Sequence, residues 1–267
     1  MPRSIWSGAI SFGLVNVPVK LYSAVSRKTV RFHQLHATDG VRIQQKRFCP
    51  VDGEEVPYDQ IVKGYEVAPD RYVVITPEEL ESLDPKKTRT IDIEDFVGLE
   101  EIDPIFYDHP YYLMPDKGAA KAYKLLVTAM SDTNKVALAR VVIRQKESLV
   151  AIRPTGSVLT METMLFADEI VPRDQFDELA ATEEAATAER EVEMAKMLIE
   201  TLTGEFDPSK YSDTYRRRVL ELIERKAEGE TIAVQPAEEP RAVPDLMAAL
   251  EASVAAAKKG GGDKPKP

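Results

Sequence analysis

Only one cysteine, Cys49, occurs in the 267 residues, so no disulfide can form within the chain. A reducing compartment such as the cytoplasm fits that composition. No apolar run approaches the ~20 residues that a helix needs to cross a bilayer. The N-terminal apolar stretch is interrupted by Ser and Gly and lacks a small-residue cleavage site, so it predicts a pair of strands rather than a secretion signal. We therefore expect a cytoplasmic protein without membrane partners.

Residues typical of catalytic and metal sites are also scarce. The sequence lacks a Gly-rich phosphate loop and a seryl nucleophile elbow. His33, His36 and Cys49 resemble half of a zinc knuckle, but Asp52 stands where the second knuckle cysteine would be. His109 lies between Asp and Pro and is expected to be structural. We predict a binding protein without a catalytic residue, a metal or a cofactor.

The net charge of −10 conceals a separation of charge along the chain. Residues 1–50 contain eight basic residues and one acidic residue, and residues 117–160 contain eight basic and two acidic residues. The intervening residues 51–116 hold five basic and 18 acidic residues, and residues 161–207 hold three basic and 14 acidic residues. An acidic protein can therefore still present a basic surface, as proteins that bind nucleic acids do.

The segment 136–154, "VALARVVIRQKESLVAIRP", alternates as a β-hairpin does. The alternate small and apolar residues Ala137, Ala139, Val141 and Ile143 are expected to face a core. Arg140, Arg144 and Lys146 would project from the other face at intervals of about 7 Å, a spacing comparable with that of phosphates along a nucleic acid strand. Glu147 is the only acid nearby in the sequence. The alternative is an ordinary solvated sheet face.

Strand-like alternation dominates to about residue 180, and helical periodicity follows from about residue 183 to residue 229, so we expect an α+β chain. Turn signals interrupt the first part at Gly8, Gly13, Asp39-Gly40, Asp52-Gly53 and Gly64. Helix boundaries are predicted at Thr76 with Glu79, at Gly204, at Ser212 or Asp213, and at Gly229.

A linker rich in Pro, Glu and Ala is predicted at residues 230–243, before a short amphipathic helix. The apolar stripe of this helix consists of Leu246, Met247, Leu250 and Val254. The stripe is too small to form a core, and an isolated helix of this length is marginal in water. We expect the helix to become ordered only against a partner, as a helix in a groove.

Six segments carry a resemblance to a known family, and they are "RSIWSGAISFGLVNVPVKLYSA" (3–24), "VKGYEV" (62–67), "YVVITPEELESL" (72–83), "EIDPIFYDHPYYLMPDKGAAKAYKLL" (101–126), "VALARVVIRQKESLVAIRP" (136–154) and "YSDTYRRRVLELIERKAEG" (211–229). Together and in this order they resemble bacterial Ku over nearly the whole chain.

The resemblance implies a protein that binds double-stranded DNA ends in non-homologous end joining, located with the bacterial nucleoid in the cytoplasm. Its fold would be a β-barrel core with a bridge, and two subunits would close a ring around DNA. The homodimer would recruit a multifunctional ATP-dependent DNA ligase, ligase D, through the C-terminal region. The expected divisions are 1–182 for the core with its bridge at 31–66, 183–229 for a helical arm, and 230–267 for the recruiting region.

On this interpretation both basic blocks line the channel of the ring and contact phosphates, while the acidic blocks face outward. The predicted DNA contacts are Lys20, Arg31, Arg42, Lys46, Arg47, Arg140, Arg144 and Lys146, and the ligase would contact the stripe on the terminal helix. The alternative is a β-barrel module that binds RNA or single strands, because Phe32 and Phe48 stand beside arginines. A nuclease is disfavoured, because no pair of carboxylates suited to metal binding accompanies either basic block.

Overall fold

A computed structural model describes residues 2–82, 89–143, 146–229 and 246–259. Its strands are β1 (Trp6–Phe12), β2 (Val15–Ser23), β3 (Lys63–Ala68), β4 (Arg71–Ile75), β5 (Thr90–Gly98), β6 (Tyr107–Pro115), β7 (Lys135–Ile143), β8 (Lys146–Thr155) and β9 (Val158–Met164). Its α-helices are α1 (Pro77–Ser82), α2 (Ala120–Thr133), α3 (Glu178–Glu184), α4 (Glu189–Leu202), α5 (Thr214–Ala227) and α6 (Leu246–Lys259). The predicted α+β class is confirmed.

Seven strands form a closed barrel in the order β1-β2-β6-β9-β8-β7-β5, and β3 and β4 form a separate two-stranded sheet. The barrel closes where β1 runs parallel to β5, with Ala9 opposite Thr90. Gly8 permits this closure, because a Cβ there would lie 2.1 Å from the carbonyl oxygen of Arg89. Gly8 therefore serves close packing inside β1, and its prediction as a break is wrong.

The barrel core is built from alternate residues of its strands, as the period of two requires. On β7, Ala137, Ala139 and Val141 are at most 2% exposed. This confirms the prediction that these alternate residues face the core. Helix α2 packs against β7 and β8, and it buries Tyr123. The Tyr123 hydroxyl donates to the Leu113 carbonyl at 2.6 Å and accepts from the Leu159 N–H at 2.7 Å. This hydroxyl ties the helix to both β6 and β9.

The segment between β2 and β3 is almost free of regular structure, and none of residues 31–66 is buried. Gly40 and Gly53 have φ of 70° and 73°, so the turns predicted at both positions are confirmed. Gly64 lies inside β3, and the turn predicted there is wrong. The chain reverses instead at Asp70, which has φ of 60° in the tight connection from β3 to β4.

Two of the predicted helix starts are confirmed by their hydrogen bonds. The Glu79 N–H donates to the Thr76 hydroxyl at 3.2 Å, and the Thr76 N–H donates to the Glu79 carboxylate at 2.9 Å. The Asp213 carboxylate accepts from the Arg216 N–H at 2.8 Å at the start of α5. Helix α4 ends at Leu202 and is capped by Thr203 in an extended conformation, so the cap predicted at Gly204 is wrong.

The chain divides into two compact units, residues 1–28 with 32–171 and residues 29–31 with 172–267. Within the second unit, α6 packs against α4 and leaves Val254 only 6% exposed. Arg190 of α4 and Glu251 of α6 form an ion pair at 3.3 Å. The predicted linker lies outside the described residues. None of the described helices is long and apolar enough to cross a membrane.

Candidate nucleic-acid interface

The segment 31–66, called the bridge from here on, contains two small hairpins held by backbone hydrogen bonds. In the first, the His36 N–H donates to the Val41 carbonyl at 2.8 Å, and the Ile43 N–H donates to the Gln34 carbonyl at 3.1 Å. The Asp39 carboxylate accepts from the Val41 N–H at 3.0 Å inside this turn. That bond is the main reason why the pKa of Asp39 is lowered.

The second hairpin follows directly. The Cys49 N–H donates to the Glu54 carbonyl at 2.9 Å, and the Val56 N–H donates to the Arg47 carbonyl at 2.8 Å. Asp52 closes this turn by accepting from the Glu54 N–H at 2.9 Å. The two hairpins give the bridge a defined shape although it lacks a core of its own.

The bridge presents Arg42 and Arg47 to solvent, and neither has an acidic partner in the part of the chain that the structure describes. Neither Arg42 nor Arg47 forms an ion pair with a carboxylate of the described residues. The Arg47 guanidinium instead lies 5.4 Å from the centre of the Tyr58 ring, a cation–π contact. Lys46 differs from them, because its Nζ lies 2.6 Å from a Glu55 oxygen. Arg31 is exposed and belongs to the second compact unit.

Arg140 on the outside of the barrel is surrounded by acids. Its Nε lies 2.9 Å from a Glu94 oxygen, and its Nη1 lies 3.6 Å from a Glu147 oxygen. Asp92 of β5 is paired directly with Arg140 in the strand register. Glu147 is the only acid near Arg140 in the sequence, but the fold brings Glu94 and Asp92 beside it as well. A bulge between Ile93 and Asp95 gives β5 one extra residue, Glu94, next to β7.

The other predicted barrel cations that the structure describes are also paired. Lys20 donates to Asp116 at 2.7 Å, which raises the pKa of Lys20 and lowers that of Asp116. Lys146 lies 3.9 Å from Glu169. Arg144 lies outside the described residues. Lys20 lies on β2 and Arg140 on β7, and β1 and β5 stand between these two strands in the barrel. The two cations therefore lie on different sides of the barrel.

Comparison with known protein families shows which family the chain belongs to. A family model described as the Ku70/Ku80 beta-barrel domain matches residues 11–194. The chain belongs to the Ku family. The resemblance inferred from the six sequence segments is thereby confirmed.

Curated relatives support the same membership over nearly the full chain. The non-homologous end joining protein Ku of Anaeromyxobacter sp. (strain K) is 54% identical, covering 100% of this chain and 90% of the relative. The protein of the same name from Heliobacterium modesticaldum is 47% identical, covering 94% and 91%. The non-homologous end joining protein Ku 1 of Geotalea uraniireducens is 42% identical, covering 96% and 98%.

The apolar stripe of the terminal helix in this Ku chain is partly covered by the chain itself. Val254 is buried against α4, whereas Leu246 is 63% exposed. Met247 and Leu250 are intermediate in exposure. The helix therefore packs within its own unit, and the expectation that it becomes ordered only against a partner is wrong. What remains open to another molecule is the end of the stripe near Leu246.

Sequence reasoning missed the contribution of glutamines and a tyrosine to the bridge. Gln34, Gln44 and Gln45 line its surface clefts together with Arg42, and Tyr58 holds Arg47. The only available signal was the run "QQKRF" between two turn signals. In the described residues, no three His, Cys, Asp or Glu side chains are grouped as a metal site. His36 instead lies 3.0 Å from Asp39.

Proposed function

We propose that this Ku chain binds the ends of double-stranded DNA and acts in non-homologous end joining without catalysing a reaction itself. Its relatives carry the name of that process. The observation that supports the proposal most strongly is the bridge, where Arg42 and Arg47 are exposed and lack acidic partners among the described residues. Contacts to phosphates would position DNA with little dependence on its sequence.

We further propose that two copies close a ring around the duplex. The bridge has no buried residue with which to pack on its own barrel, so it is suited to reaching across DNA. The isolated sheet of β3 and β4 exposes Tyr65 to 71% and Val74 to 51%. A two-stranded sheet is marginal alone, and exposed apolar patches commonly mark contacts with another protein. A second copy of the chain would cover this surface.

The direct test of end binding is a competition among linear duplex, covalently closed circular duplex and single strands of the same sequence. Linear duplex should win, because a ring can enter DNA only at an end. The mass of the protein in solution should correspond to a dimer. A preference for single strands over linear duplex would support the alternative module and overturn end binding.

The recruitment of ligase D is a separate proposal for the residues after 229. Truncation there should preserve DNA binding and abolish stimulation of the ligase. Leu246→Glu offers a finer test, because it charges the exposed end of the stripe and leaves Val254 packed on α4. Normal stimulation by the truncated protein would mean that the ligase contacts another surface, with α4 and α5 as the next segments to test.

A further inference from the structure

The apolar stripe of α6 is divided between residues that the chain itself covers and one residue that it leaves open. Val254 is 6% exposed, and Met247 and Leu250 are intermediate in exposure. Leu246, at the start of the helix, is 63% exposed. A molecule that meets α6 in this state therefore finds only Leu246 largely open.

Two contacts hold α6 on α4. One is the packing of the two helices, in which Val254 is buried. The other joins Arg190 of α4 to Glu251 of α6, whose Nη2 and Oε1 atoms are 3.3 Å apart. Their side chains are 78% and 53% exposed, and an exposed ion pair contributes little to stability. Because one buried side chain and one exposed ion pair make a small contact, α6 can leave α4 at a modest cost in free energy.

The covered residues of the stripe are the ones that a groove in another protein would need. A helix held in a groove presents apolar anchors at positions i, i+3 or i+4, and i+7. Met247, Leu250 and Val254 have this spacing, and all three are buried or half-buried. Helix α4 and a partner's groove would therefore compete for the same face of α6.

We propose that α4 covers the ligase-binding face of α6, so that α6 must leave α4 before the ligase can hold all its anchors. This inference rests on the proposed recruitment of ligase D. Leu246 would make the first contact. The apparent dissociation constant of the ligase would equal its value for uncovered α6 divided by the fraction of chains in which α6 is uncovered. A change that loosens α6 from α4 without altering the stripe should therefore strengthen ligase binding.

The variant Arg190→Glu loosens the contact from the side of α4. It replaces the ion pair with two like charges and leaves every residue of the stripe unchanged. The full-length variant should bind the ligase about fivefold more tightly than the wild type, the upper range for an exposed pair, with unchanged affinity for linear duplex. Arg190→Glu/Glu251→Arg should restore the wild-type affinity. Arg218→Glu, at an exposed position on α5, changes the net charge equally to Arg190→Glu and is the matched control.

The opposite experiment fixes α6 on α4. Cys49 is the only cysteine, so Cys49→Ser/Arg190→Cys/Glu251→Cys carries one thiol on each helix. A short bis-maleimide should join the two thiols within one chain, because the native side chains at these positions meet. The cross-linked protein should bind linear duplex normally and lose nearly all stimulation of the ligase. The same variant with both thiols capped by N-ethylmaleimide should retain stimulation.

The outcomes separate this inference from the functions on which it rests. Equal ligase binding by Arg190→Glu and the wild type, or normal stimulation by the cross-linked protein, overturns the inference and leaves recruitment intact. A cross-link that joins two chains also overturns it, because α6 would then pack on a second copy. If the wild type does not stimulate the ligase, recruitment fails together with the inference, and binding to linear duplex still reports end binding.

Discussion

The bridge and the barrel wall both present cations that the sequence predicts to contact DNA, but their surroundings differ. On the barrel, Arg140 lies between Glu94 and Glu147, and Lys20 donates to Asp116. On the bridge, Lys46 is also paired, with Glu55, but Arg42 and Arg47 form no ion pair with a described carboxylate. A side chain in a sheet has neighbours on two adjoining strands, whereas an isolated hairpin offers few. Irregular structure thus leaves arginines available for phosphate.

This difference also assigns separate roles to the two regions. The barrel has a continuous buried core and supplies stability. The bridge contributes no residue to that core and supplies exposed charge. A substitution in the core should therefore change the free energy of unfolding. A substitution on the bridge should instead change the affinity for DNA.

The largest effect is expected for the charge reversal Arg42→Glu/Arg47→Glu on the bridge. Each lost charge-assisted contact weakens binding by about tenfold, and the two copies of the ring carry four of these arginines, so affinity for linear duplex should fall about 10,000-fold. The slope of log affinity against log salt should become shallower by about 3.6, because four phosphates are no longer neutralised. Fluorescence anisotropy over a salt series measures both. Arg173→Glu changes an exposed arginine outside the bridge and is the control. An equal loss of DNA affinity in this variant would show that the bridge arginines do not differ from other exposed arginines.

A clear loss of stability is expected for Tyr123→Phe in the barrel. Without the hydroxyl, the Leu113 carbonyl and the Leu159 N–H lose a buried partner. The free energy of unfolding should fall by about 2 kcal/mol, as measured by urea denaturation, with DNA affinity unchanged below the transition. Tyr112→Phe, at a half-exposed ring on β6, should have almost no effect. Equal stability of the two variants would contradict the assigned role of Tyr123.

A smaller effect is expected when the acids around Arg140 are neutralised. Glu94→Gln/Glu147→Gln should strengthen DNA binding about threefold, within the range of an exposed ion pair. Glu200→Gln/Glu205→Gln changes the net charge equally on the second unit and serves as the control. If both double variants bind DNA equally well, Arg140 does not face DNA, and the predicted role of the barrel wall is wrong.

The smallest effect concerns the pair of Lys20 and Asp116. The pKa of Asp116 is lowered mainly by the hydrogen bond from Lys20, and the pKa of Lys20 is raised by the same bond. The contribution of Asp116 is present above its unfolded pKa of about 3.9 and is lost as the pH falls through the folded value. The contribution of Lys20 to stability is present below its unfolded pKa of about 10.4 and is lost as the pH rises through its folded pKa.

Asp116→Asn should therefore be slightly less stable than the wild type between about pH 5 and pH 9, and the difference should shrink as the pH falls below about 3.9. Urea denaturation at pH 3 and pH 7 measures it. Asp132→Asn, on the exposed surface of α2, is the matched control. A difference that persists unchanged at pH 3 would show that the ion pair is not its source.

The sequence was most informative where neighbours along the chain determine the structure. The alternation in 136–143, the reciprocal bonds of Thr76 and Glu79, and the cap at Asp213 all depend on residues close in sequence. The family was recognisable from its segments. Gly8 was misread because its role depends on Arg89 of a distant segment.

The interface was less accessible to prediction because its electrostatics depend on contacts between distant residues. Glu94 meets Arg140 across 46 residues, and only the bulge in β5 places it there. Strand parity alone cannot reveal such a partner. The packing of Val254 on α4 is another long-range contact that periodicity does not show. The bridge arginines that the sequence predicts to contact DNA are exposed, and their contact with DNA stays a prediction.

The most direct test of the account is whether the protein becomes topologically trapped on DNA. Linear duplex loaded with protein is ligated into a circle and then exposed to high salt, which breaks phosphate contacts. A ring closed by two bridges should remain on the circle and slide off an open linear control. Equal loss from both, or equal binding to circles closed beforehand, would contradict a closed ring.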